Sequence, residues 1–155
     1  PVIFLLALFS QNLLAAPEAA PHDKTRAYFG ASLSTISPHL NVLAGFSTKY
    51  GISGDMRFFI PEETYNNRKN SLTFYKHFDV LGDPSHSLFL STGLDFVKNT
   101  FTNDETKKVL SYGIGYEVIT TELASVRVHL EQSINNYYNT SHRSRLSISV
   151  IQYAS

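Results

Sequence analysis

The sequence predicts an all-β protein, an eight-stranded antiparallel up-and-down transmembrane β-barrel. Three observations predict it. From Arg26 onward, large apolar residues recur on alternate positions, the period of a strand with one apolar face. Polar breaks divide the chain into eight such runs of about ten residues, an even number and the length that crosses a bilayer when tilted. After the first connection, short and long breaks alternate, as they do when short turns close one end of a barrel and longer loops the other.

The runs follow in order. The first is Ala27–Ser37, with Phe29, Ala31 and Leu33 on one face. Leu40–Tyr50 follows, carrying Leu40, Val42, Ala44 and Phe46, and then Ile52–Ile60, carrying Met56, Phe58 and Ile60. The fourth, Ser71–Leu81, has Leu72, Phe74, Phe78 and Val80, and the fifth, Ser87–Val97, has Leu88, Leu90, Leu94 and Phe96. Val109–Ile119 and Ala124–Ile134 form a hairpin in which Leu110, Tyr112, Ile114, Tyr116 and Val118 are answered by Val126, Val128 and Leu130. In the last run, Arg145–Tyr153, Leu146, Ile148 and Val150 alternate with Arg145, Ser147 and Ser149, and the apolar phase slips before Tyr153, which predicts a bulge. The short connections are Ser37–His39, Tyr50-Gly51, Gly82–His86 and Thr120–Leu123; the long ones are Pro61–Asn70, Lys98–Lys108 and Asn135–Arg143. No segment after Arg26 has a helical period.

Composition narrows the function. The chain has 155 residues, enough for one domain, with 13 Lys+Arg against 13 Asp+Glu. That balance argues against nucleic acid, which draws a basic surface. Without cysteine there is no disulfide framework, thiol chemistry or cysteine-ligated zinc. Mean hydropathy is slightly negative, which excludes a bundle of membrane helices and leaves a membrane barrel open.

The two faces of the runs decide the medium. In a barrel of eight strands the interior is just wide enough to be filled by side chains. If the apolar face meets lipid, the interior holds Lys49, Asp55, Arg57, His77, Asp79, Asp95, Glu117, Arg127, His129 and Glu131, both signs together and able to pair. Gly45, Gly93, Gly113 and Gly115 then make room for the longer arms. In the opposite arrangement, large apolar residues on nearly every inward position overfill a narrow lumen. A wider soluble barrel that binds an apolar ligand stays open as a second reading. Aromatics near strand ends, including Tyr50, Phe58, Phe74, Phe78, Phe96, Tyr112, Tyr116, Tyr137 and Tyr138, fit girdles at two membrane interfaces. Lys76 interrupts the outward face between Phe74 and Phe78; it snorkels if it lies near an interface and costs roughly 2–4 kcal/mol at mid-depth.

The N-terminus differs in kind. An apolar run from Pro1 to Phe9 leads to small residues at Ala15 and Ala16, the pattern of a secretory signal peptide. Residues 1–16 are read as that signal, lacking its first residues, 17–26 as a flexible lead-in and 27–155 as the barrel domain.

The stretch "YGIGYEVITTELASVRVHLEQS" resembles the signature hairpin of small eight-stranded outer-membrane barrels of the OmpX-like, opacity-type and OmpA membrane-domain kinds. Gly113, Gly115, Tyr116 and Glu117 match its first half, and Arg127 and Glu131 its second. The resemblance implies a bacterial outer-membrane location, outer-membrane lipid and the barrel-assembly machinery as partners, and roles in adhesion or contact with a host surface or matrix ligand. In that family the last strand closes on a terminal aromatic, whereas here Tyr153 is followed by Ala154 and Ser155.

Candidate chemistry is sparse. His142-Arg143-Ser144 has the His-x-Ser spacing of lipid A acylhydrolases of this fold, but no Asp or Glu follows it. A lipid A-modifying enzyme is therefore a third reading. His77 with Asp79, and His129 with Glu131, lie at i, i+2 on one strand face and read as interior pairs before metal ligands. Asn103–Glu105 is a weak calcium candidate, and the sequon at Asn139–Ser141 means little in the bacterial context that the resemblance implies. The reading is a monomeric barrel with no cofactor, metal, nucleic-acid partner or catalytic residue, no diffusion pore, and a structural or surface-contact role on its long loops.

Overall fold

The computed structural model describes residues 24–36, 38–62, 66–80, 82–99, 106–121, 123–134 and 144–155, with the backbone alone for 66–69, 80, 84 and 99. Eight strands run in chain order: β1 (Arg26–Ser34), β2 (Leu40–Ser47), β3 (Ile52–Phe59), β4 (Asn66–Val80), β5 (Asp83–Asn99), β6 (Thr106–Thr121), β7 (Ala124–Ser133) and β8 (Ser144–Tyr153). Each pairs antiparallel with its neighbours, and β8 returns to β1 to close the barrel. Over the span that all eight strands share, closure leaves no open strand edge, the condition for a sheet in hydrocarbon.

Side-chain period fixes which face is which. Phe29, Phe46, Leu90, Ile114, Leu130 and Ile148 lie on the outer wall with exposures between 45% and 65%. Asp55, Arg57, Glu117, Arg127 and His129 alternate with such residues and are at most 2% exposed inside. A continuous row crosses three strands, Leu90 to Ile114 to Leu130, and continues to Leu146 on β8. Such a wall far exceeds the apolar patches that proteins dissolved in water expose. The polarity is the reverse of a soluble ligand-binding barrel, whose apolar face would line the cavity.

Both described chain ends lie at one rim, with three short turns. Thr48 and Gly51 close the β2–β3 turn, with Gly51 N donating to Thr48 O at 3.2 Å and Gly51 at φ 70°. That left-handed backbone favours glycine. Gly82, at φ 69°, serves the β4–β5 turn in the same way. Val80 pairs with Asp83 there, and Thr121 with Ala124 in the β6–β7 turn. The other rim carries the remaining connections. There the short β1–β2 connection is tied down: Thr35 N donates to Leu146 O at 2.9 Å, and His39 N donates to Glu62 Oε1 at 2.7 Å.

The structure departs from the expected boundaries in three places. Strands β4, β5 and β6 are 15, 17 and 16 residues long, so part of the expected long loops is sheet. Asn66 pairs with Asn99 and Lys98 with Thr106, beyond the end of β3 at Phe59. Next, β8 has no bulge: the pairing with β1 and β7 is continuous, and Ile151 and Tyr153 point inward in phase with Ser149. Last, β1 ends at Ser34 and β2 at Ser47, each three residues earlier than the apolar beat suggested. The expected signal peptide, most of the lead-in, His142–Ser144 as a group, Asn103–Glu105, Tyr137, Tyr138 and the sequon lie wholly or partly outside the described residues.

Candidate functional site: the filled interior

The interior is assembled from alternate residues of all eight strands, and charge organises its centre. Asp55 on β3 is the hub. Tyr28 Oη on β1 donates to its Oδ2 at 3.0 Å and Tyr75 Oη on β4 to its Oδ1 at 3.2 Å. Arg127 Nη1 on β7 reaches Oδ2 at 3.3 Å, and Arg57 Nε lies 3.4 Å from Oδ1. Arg127 also donates through Nε to Glu117 Oε2 at 2.8 Å, and Tyr153 Oη donates to Glu117 Oε1 at 2.8 Å. Arg57 spans the barrel to Glu131 Oε1 at 2.9 Å and donates to the Tyr75 hydroxyl. Two guanidiniums and three carboxylates therefore sit in one network. A buried charge with an opposite charge beside it is tolerable where a lone one is not.

Aromatic rings pack between the charges. The Arg127 guanidinium lies 4.4 Å from the Tyr75 ring centroid and 5.5 Å from those of Tyr28 and Phe89. Phe89, fully buried, meets Tyr75 edge-on at 5.3 Å and His129 at 5.2 Å. Glycines make the space. A Cβ on Gly115 would lie 2.2 Å from Phe89 Cζ, and one on Gly113 would lie 2.6 Å from His129 Nε2.

Above and below the network the interior is closed by other means. Toward the turn rim, Tyr28, Leu43, Ile151 and Tyr153 form an apolar cluster against which Leu123 packs. His77 bridges Ser53 Oγ at 2.9 Å and Ser87 Oγ at 3.2 Å. Toward the loop rim, Arg145 donates to Pro38 O at 3.0 Å and Ser34 Oγ at 3.3 Å, with its guanidinium 5.1 Å from the Phe59 ring. Asp95 is buried at the same end, near the Val97 and Val109 pair.

Of the ten residues expected inside, the structure brings Asp55, Arg57, Glu117, Arg127, His129 and Glu131 into one network and also buries His77 and Asp95. Lys49 and Asp79 are not interior. Lys49 falls in the β2–β3 turn, exposed, its ammonium 5.1 Å from the Tyr50 ring, because β2 ends before it. Asp79 keeps the inward phase, opposite Ser87, but is exposed because it sits at the turn rim where the barrel ends. Sequence reasoning missed Tyr28, Tyr75, Tyr153 and Phe89. Tyr75 shares its face with His77, so the period carried the signal; Tyr153 was hidden by the expected bulge.

One constellation has the residue types of an acyl-transfer triad: Ser91 Oγ is 2.7 Å from His129 Nε2, and Glu131 Oε1 is 3.8 Å from Nδ1. The proton is on the wrong side. Arg57 Nη2 lies 3.0 Å from Nδ1 and can only donate, so Nδ1 accepts and Nε2 donates to Ser91. Ser91 is thus an acceptor held in place, not an activated nucleophile. Among the described residues no group of three or more His, Asp or Glu is placed to hold a metal.

No protein-family model matches the chain, and no curated protein matches it by sequence. Solved structures do. The N-terminal β-barrel domain of OprF from Pseudomonas aeruginosa aligns at a TM-score of 0.59 and 13% identity, covering 84% of this chain and 98% of that one. This chain has the fold of the small eight-stranded transmembrane β-barrels. A de novo designed transmembrane β-barrel aligns at 0.56 and 11% identity, covering 90% of this chain and 98% of the design. At these identities the likeness is one of fold. A transmembrane barrel of this size is packed through its axis, and the network above supplies that packing here.

Proposed function

We propose that this protein is a Gram-negative outer-membrane β-barrel, a sealed and monomeric anchor whose surface-contact role is carried at its loop rim. The observation that carries the reading is the inversion of polarity: a charged, paired interior inside an apolar wall. That partition suits lipid outside and a filled axis within, and it supports no route for solutes through the barrel. The turn rim, with both described chain ends, faces the periplasm, and the extended β4–β5–β6 sheet stands beyond the outer leaflet. Delivery through a signal peptide at residues 1–16 and folding by the barrel-assembly machinery belong to the same reading. Adhesion to a host surface or matrix ligand is the finer proposal, supported by the length of the loop-rim connections. A non-enzymatic role is supported by the tautomer imposed on His129.

The test is expression with a complete signal peptide in a Gram-negative host, isolation of the outer membrane, and electrophoresis with and without boiling. The expected result is a membrane-embedded species whose mobility shifts on boiling, and which gives no steady conductance in a planar bilayer. A freely soluble protein with no shift overturns the reading. For the finer proposal, cells carrying the protein with residues 100–105 and 135–143 replaced by short Gly/Ser turns should lose attachment to host matrix while keeping the gel shift; unchanged attachment overturns it.

A further inference from the structure

The outer wall is not uniform. Across β1 to β4 near the turn rim, one row of paired residues reads Ala27, Phe46, Gly54, Phe74, small and large in turn. The next row includes Ala44 between Phe29 and Met56. The small residues leave an open apolar groove of about 560 Å³ in the lipid-facing surface, with Ala27, Ala44, Phe46, Gly54, Met56 and Phe74 among its walls. Its turn-rim edge is marked by charge. Ile52, which lines the groove, pairs directly with Lys76, and Lys76 Nζ donates to Tyr50 O at 2.6 Å. Lys49 stands in the same turn, exposed beside the Tyr50 ring. Neither lysine has a carboxylate partner among the described residues.

We propose that this groove is a site for one anionic phospholipid of the periplasmic leaflet, an acyl chain lying in the groove and the headgroup phosphate on Lys76 and Lys49. The inference rests on the outer-membrane reading above. Two features select this occupant. A flexible hydrocarbon chain fills a groove between rings without leaving polar groups unpaired. Two ammonium groups at its rim, at the depth where β3 begins, complement a phosphate that an acyl chain in the groove would bring there. A zwitterionic lipid offers the same chain and a weaker electrostatic partner.

The test is native mass spectrometry of the full barrel released from detergent after exchange with phosphatidylglycerol or phosphatidylcholine. The boiling-dependent gel shift of the same sample shows that the barrel is folded, so loss of the shift counts against the outer-membrane reading and not against this site. The expected result is one retained phosphatidylglycerol, preferred by about fivefold for each lysine engaged. Lys49→Gln with Lys76→Gln should erase the preference, and Ala44→Phe, which fills the groove, should erase retention of either lipid. Equal retention of both lipids by the parent barrel overturns the proposal. So does a groove occupied by a second copy of the chain, seen as a dimer that Ala44→Phe dissociates.

Discussion

Arg57 on β3 and Glu131 on β7 grow from opposite walls of the barrel and meet across its interior, Nη1 to Oε1, at 2.9 Å. The contact is a strut through the axis, but its two ends are not equivalent. Arg57 also neutralises Asp55, with Nε at 3.4 Å, and donates to Tyr75 and His129. Removing it takes the guanidinium that meets Glu131 and one of the two that meet Asp55, which keeps Arg127. Removing the charge of Glu131 leaves Arg57 paired with Asp55. Arg57→Met should therefore destabilise the refolded barrel by about 3–5 kcal/mol, and Glu131→Gln by only about 1–2 kcal/mol. Urea titration in lipid vesicles, read by the gel shift, separates the two; equal losses would mean that the strut does not work through Asp55.

Ile114, in the middle of β6 between Leu90 and Leu130, is 45% exposed on the outer wall. In water an exposed position of this kind tolerates lysine within about 0.5 kcal/mol. In hydrocarbon the same change should cost about 2–4 kcal/mol. Ile114→Lys measured by denaturant titration in vesicles thus reports the medium directly. A neutral result would place this wall in water.

Much of this was legible in the chain because lipid and a filled axis impose opposite demands on alternate residues. Ile114, Leu130 and Ile148 could face only one way, and Glu117, Arg127 and Glu131 only the other, so register and interior followed together. The signal fades where the demands do. Thr106–Lys108 are exposed on both faces, and neither there nor over Asn66–Lys69 does the polarity pattern of the sequence announce a strand. At the turn rim the barrel ends sooner than the alternation does, which misplaced Lys49 and Asp79. Apolar residues that close the interior, Ile151 and Tyr153, contradict the binary pattern and read as a slip. Tyrosines inside the network look in sequence like any girdle tyrosine.

Tyr153 illustrates the point and can be tested by one atom. Its hydroxyl donates to Glu117 Oε1 at 2.8 Å, while Glu117 keeps Arg127 on its other oxygen. Tyr153→Phe removes a hydrogen bond to a charged acceptor without stranding the charge. The loss should be about 1.5–3 kcal/mol by denaturant titration. If Tyr153 instead faced lipid, as a bulge in β8 would require, the change would be close to neutral.

Gly115 sets the space for the centre of the interior. An added Cβ would meet Phe89 Cζ at 2.2 Å and the carbonyl of Val128, in the neighbouring strand, at 2.3 Å. Both contacts are far inside van der Waals distance, and the surrounding network is too densely packed to give way freely. Gly115→Ala should cost about 1–3 kcal/mol through strain and displaced side chains. Shrinking the ring with Phe89→Leu in the same chain should recover part of that loss, because it relieves the side-chain clash and leaves the backbone one. A double-mutant cycle on the refolded barrel measures this coupling. Full recovery would show that the β6–β7 backbone moves to accept a Cβ, and no recovery would show that the Phe89 ring does not occupy the space that Gly115 leaves.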